Sequence, residues 1–126
     1  MVKIKRVYDP PARGDGERIL VDRLWPRGLS KKAAAVDEWM KDVGPSNELR
    51  KWFGHDPARW SEFRRRYVAE LRTHRDALAT IANKARRGSV TLLYGARDPE
   101  HNQAVVLKGV IDRLRKAPRH RRARAA

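Results

Sequence analysis

The chain contains no cysteine, which removes disulfides, thiolate metal sites and thiol nucleophiles together. No apolar run approaches the length that spans a membrane. The first residues, MVKIKRVYD, lack the long apolar core of a signal peptide. These absences carry the expectation of a soluble, cytoplasmic chain with no membrane partner. Acid is scarce: 15 Asp and Glu stand against 30 Lys and Arg, a formal charge of +15. Such a balance favours anionic partners, whether nucleic acid, nucleotides or phosphorylated metabolites. A Gly-rich phosphate loop is missing too. Arg13-Gly14-Asp15-Gly16 comes nearest, and no helix follows it. The histidines at 55, 74, 101 and 120 show no metal-ligand spacing, and no serine sits in a nucleophile elbow. No metal is therefore expected, and no particular cofactor is indicated.

What is present begins with the stretch ILVDRLWPRGLS, Ile19 to Ser30. Ile19-Leu20-Val21 reads as a buried strand. The character then changes within one residue: Asp22, Arg23, Trp25 and Arg27 follow, punctuated by Pro26 and Gly28. Pro26 stiffens the backbone and biases Trp25 toward extension, Gly28 permits a sharp turn, and Ser30 is placed to cap a helix from Lys31. A buried strand thus delivers two arginines and a tryptophan to one loop.

The remaining elements alternate. Lys3 to Tyr8 reads as a strand near a sheet edge, closed by Asp9-Pro10-Pro11. The link from there to Ile19 is short for a parallel crossover, so these two strands are expected to be antiparallel or separated in the sheet. Lys31–Val36 is a short helix, and Asp37–Val43 a short strand or extended segment. Ser46 caps a helix over Leu49–Phe53 that Gly54 ends. Asp56-Pro57 opens a helix reaching about Thr73, with Trp60, Phe63, Tyr67, Val68 and Leu71 on one face. Another helix spans Asp76–Arg87, Ser89–Tyr94 is a strand, and a last helix runs from Pro99 or Glu100 to Arg115. The pattern predicts an α/β domain over residues 1–116: a layered sheet, mixed but mostly parallel and Rossmann-like, with flanking helices. Residues 117–126 read as a basic, disordered tail.

If strands Ile19–Asp22 and Val90–Tyr94 are parallel neighbours, their following loops emerge at one carboxyl edge of the sheet, where open α/β sheets bind ligands. The ligand-binding candidates are then Arg23, Trp25, Arg27, Tyr94, Arg97 and Asn102, with Asp98 and His101 the candidates for moving a proton. Arginines, helix N-termini and an indole suit a phosphorylated or nucleotide-like anion with a planar part. A purely structural alternative stays open, in which Arg23 pairs with Asp98 and Trp25 plugs the core. A second function class is also open: association with nucleic acid through the arginine-rich helix and the tail.

The stretches KRVYDPP (5–11), RILVDRLWPRG (18–28), DEW (37–39), PSNELRKWF (45–53), and TLLYGARD with the following HN (91–102) resemble the YeaO-like family, within domain-of-unknown-function group 488. The resemblance covers most of the chain apart from the tail. It implies a small cytoplasmic bacterial α/β protein and assigns no activity. Two positions depart from the family pattern: Glu17 stands where an aromatic is usual, and Gln103 where histidine is common. Longer relatives carry cysteines in the equivalent of the last loop; this chain has none, so thiol chemistry does not transfer.

Overall fold

The computed structural model describes residues 1–116; the expected basic tail over 117–126 lies outside the described residues. Four parallel strands form one sheet: β1 (Val2–Arg6), β2 (Glu17–Leu20), β3 (Glu38–Trp39) and β4 (Val90–Tyr94), in the order β1-β4-β2-β3. All five residues of β4 are buried, as a central parallel strand covered on both faces requires. Side-chain parity then divides the core. Ile19, Val21, Val90, Leu92 and Tyr94 face the larger cluster, while Val7, Leu20 and Leu93 face a smaller one.

The larger face is covered by α2 (Asn47–Phe53), α3 (Trp60–Leu71), α4 (Arg75–Arg87) and α5 (Gln103–Lys116). The smaller face is closed by the four-residue α1 (Lys31–Ala34), with Trp25, Leu29 and Val36 packed against it. It also carries polar groups. Arg18, only 4% exposed, bonds Asp15 and the carbonyls of Ala34 and Ala35, and Thr91 donates to the Asp15 carbonyl.

β1 is at an edge, as expected, and of the two alternatives for β1 and β2, antiparallel or separated in the sheet, the second holds. The antiparallel option does not: β4 lies between them and all pairings are parallel. The chain manages the return with only a 3₁₀ turn at Arg13–Asp15 and no α-helix, because β1 is only five residues long, about 16 Å. The sheet is therefore wholly parallel rather than mixed. Of the segment Asp37–Val43, just Glu38–Trp39 pairs in the sheet, and Lys41–Val43 tightens into a 3₁₀ turn. The last helix starts at Gln103, later than Pro99 or Glu100. The Asp98 carboxylate accepts from the Glu100 and His101 amides instead, holding that stretch as a loop. Glu17 pairs with Lys84 at 2.8 Å.

Candidate functional site

β2 and β4 are adjacent and parallel, with Leu20 opposite Leu93, so the loops that follow them leave the same edge. Asp22 joins those loops. Its Oδ2 accepts the Gly95 amide at 2.8 Å, and its Oδ1 accepts from Gln103 Nε2. A Cβ at Gly95 would stand 2.9 Å from Asp22 Oδ2, so a larger residue there would push that carboxylate aside. Gln103 thus ties the start of α5 to the first loop.

Around this joint lies a cavity of about 320 Å³, at the lower end of small-ligand sites. The β2–α1 loop contributes Asp22 to Arg27, the β4–α5 segment contributes Gly95, Ala96, His101, Asn102 and Gln103, and Tyr8 enters from the end of β1. Pro45, Arg50, Phe53, His55 and Phe63 close the helical side. The turn beyond Pro26 depends on Gly28 at φ +76°. Trp25 donates to the Leu29 carbonyl at 2.7 Å and meets Trp39 edge-on at 5.4 Å.

The expected residues divide. Arg23, Trp25, Arg27, His101 and Asn102 line the cavity. Tyr94 does not: it is 4% exposed, in the core, where burial pushes its phenol pKa up. Arg97 is exposed and outside the lining. Asp98 stands behind His101, 2.8 Å from Nδ1. The Glu100 amide, then the His101 ring, hold the Asp98 carboxyl below its ordinary value. Asn102 lines the cavity, yet its side chain is engaged in the loop. It donates to the Asp98 carbonyl and accepts the Val105 amide, capping α5. The alternative Arg23–Asp98 pair does not form, because Arg23 donates to the carbonyls of Gly44 and Pro45 at 3.0 and 2.9 Å. Trp25 does pack against the smaller core while also lining the cavity.

Arg50, Asp22, Tyr8 and His55 were not expected here. Arg50 carries the most informative atom: its Nε is buried with no hydrogen-bond partner among the described residues. The signal for it was present, since Arg50 lies three residues before the buried Phe53 and so shares its helix face. By contrast, the arginine run of α3 is largely engaged. Arg65 and Arg66 pair with Glu62, and Arg59 and Arg66 lie over the Trp52 ring.

Burial raises the Asp22 pKa from 3.8 to about 6, against the opposing pull of the Gly95 amide and the Arg50 charge. A carboxyl raised on folding contributes stability that is complete below its unfolded value and is lost as pH rises through the folded one. The shift corresponds to about 3 kcal/mol. Denaturant unfolding should therefore show stability falling between pH 4 and 6 in the parent, and Asp22→Asn should flatten that slope. Its amide oxygen can still accept from Gly95, and the Gln103 amide can turn to match.

A model of the "Inactive DUF488-N3 subclade" matches residues 1–125. The chain belongs to that subclade. It is 47% identical over 106 residues to the uncharacterized protein YeaO of Escherichia coli (strain K12), which covers 84% of this chain and 92% of YeaO. It is 40% identical over 111 residues to the uncharacterized protein Rv3073c of Mycobacterium tuberculosis (strain H37Rv), covering 88% of this chain and 93% of that one. The uncharacterized protein Mb3100c of Mycobacterium bovis matches to the same extent. No solved structure matches the chain. Membership in the DUF488 group agrees with the resemblance carried by the loop motifs, and those same motifs supply the walls of the cavity. No described helix is long and apolar enough to cross a membrane, and no group of side chains among the described residues is arranged to hold a metal.

Proposed function

We propose that this protein binds a small anionic molecule with a planar part, a phosphorylated or nucleotide-like compound, in the cavity at the carboxyl edge of the sheet. We further propose that it acts as a binder without turnover. The observation that carries the reading is Arg50, a guanidinium with an unpartnered buried Nε, in the wall of a cavity that also holds Arg23 and Arg27. The rest of that guanidinium has no hydrogen-bonded counter-charge among the described residues, and an anion entering the cavity would supply one. Trp25 and the aromatic wall suit a planar body. The His101 Nδ1 is engaged with Asp98, which leaves Nε2 as the ring nitrogen available to such a ligand. The description of the subclade as inactive supports binding over catalysis, so Asp98 and His101 are assigned to positioning the ligand.

The test is thermal unfolding with nucleoside monophosphates and inorganic phosphate. A true ligand at about a hundred times its Kd should stabilise the parent by about 2.7 kcal/mol. Arg50→Met should fold, because it orphans no hydrogen-bond acceptor, although it removes the charge that opposes the upward shift of Asp22. It should weaken binding by roughly 10- to 150-fold, the loss of charge-assisted hydrogen bonds. Equal stabilisation of parent and variant would end this reading.

A further inference from the structure

The rim of the cavity has its own chemistry. Among the described residues the large apolar side chains left exposed are few, and three of them cluster here: Leu24 at 56%, Tyr8 at 40% and Trp39 at 39% exposure. Leu24 and Tyr8 line the opening. Trp39 is fixed beside it, donating to the Asp22 carbonyl at 2.7 Å and meeting Trp25 edge-on. Neither aromatic is loosely held, for the Tyr8 hydroxyl donates to the Arg27 carbonyl at 2.8 Å. Each ring also carries a cation: Arg6 lies 5.0 Å from the Tyr8 ring centre and Lys41 lies 5.5 Å from that of Trp39. Arg6 is held in turn by the Ala96 carbonyl, and exposed Arg97 follows Ala96 directly.

A free metabolite needs only the cavity. Exposed, immobilised aromatics on both sides of an opening, each beside a cation, suit an extended strand of bases and phosphates: bases stack on the aromatic faces and the cations meet the backbone. From this we infer that the ligand of the cavity is a nucleotide unit within a single-stranded nucleic acid, one base turned inward past Trp25 while its neighbours stack on Trp39 and Tyr8. This rests on the anion-binding reading of the cavity and extends it to the substrate class. A duplex is the wrong partner for this rim, since its bases are already stacked and their faces closed. The carboxylates Asp9, Asp42 and Glu100 sit on the same segments, so stacking rather than charge has to supply the preference.

The test uses the full chain and fluorescence anisotropy with labelled oligothymidylate and oligouridylate of about twelve nucleotides, a length within the range such sites cover. A duplex of equal charge and free uridine monophosphate complete the set. Because the chain is basic overall, any polyanion will be attracted, and the informative comparison is single strand against duplex. The single strand should bind at least ~10-fold tighter than the duplex, and the two oligomers separate a DNA from an RNA preference. Trp39→Ala should weaken oligomer binding by roughly 5- to 150-fold. Arg97→Glu should weaken the oligomer and leave the mononucleotide unchanged, and its exposed position keeps it independent of folding. Duplex bound as tightly as single strand, or oligomer affinity indifferent to both variants, overturns the inference while mononucleotide binding still stands. Loss of mononucleotide binding itself is read by the parent and Arg50→Met comparison and would remove the cavity reading beneath it.

Discussion

Asp15→Ala is expected to lower the unfolding free energy by about 3–5 kcal/mol, the cost of orphaning one partner of a buried ion pair. Asp15 and Arg18 are 6% and 4% exposed and meet at 2.5 Å. Asp15 also accepts from Lys5 and from the Ala12 amide. Without the carboxylate, Arg18 keeps the Ala34 and Ala35 carbonyls but loses its counter-charge. Burial alone would raise the Asp15 pKa. The Ala12 amide, Lys5 and Arg18 outweigh it and bring the value down from 3.8 to about 2. A carboxyl lowered on folding contributes stability that is present above its unfolded value and lost as pH falls through the folded one. The parent should therefore lose stability between pH 4 and 2, and Asp15→Ala should lack much of that acid limb. Denaturant titrations across this range check both statements. The window is separate from that of Asp22, whose contribution runs in the opposite direction between pH 4 and 6.

Phe63→Ala should cost a similar ~3–5 kcal/mol, by lost burial and the hole left behind. Phe63 is 2% exposed and stacks on Phe53 at 4.3 Å between ring centres, with Trp60 and Tyr67 beyond at 5.7 and 5.8 Å. The same ring forms part of the cavity wall. The substitution should thus lower stability and loosen ligand binding together. Phe63→Leu should recover most of the stability, because it restores most of the volume. For a domain whose whole stability is typically about 5–15 kcal/mol, either alanine variant leaves a marginal protein. Urea midpoints of the three proteins, measured with and without a mononucleotide, test this coupling.

The fold was legible where one physical signal dominated. β4 is an uninterrupted β-rich run between Gly88 and a polar loop, and the structure buries all of it. Ser46 and Ser30 cap their helices, as hydroxyls before a helical pattern should. Legibility failed where local signals competed. Asp98-Pro99 looks like a helix start, but the Asp98 side chain serves a loop and Asn102 takes the capping role. The meeting of the two loops followed from strand order, yet the identity of the cavity-facing side chains did not. β4 is buried on both faces, so nothing in its pattern said that Tyr94 turns into the core. Arg50 escaped notice because it sits on a helix distant in sequence from either loop, and only the three-residue spacing to Phe53 hinted at its direction. Asp22 escaped because its role is a contact with Gly95 and Gln103, more than seventy positions away.

The cavity between these loops and its anionic occupant are tested most directly by a crystal structure grown with a nucleoside monophosphate. A phosphate within hydrogen-bonding distance of Arg50 or Arg27 and the base against Trp25, inside the space that Asp22 and Gln103 close, is the expected result. A nucleotide bound elsewhere on the molecule, with this cavity empty at saturating ligand, would contradict it.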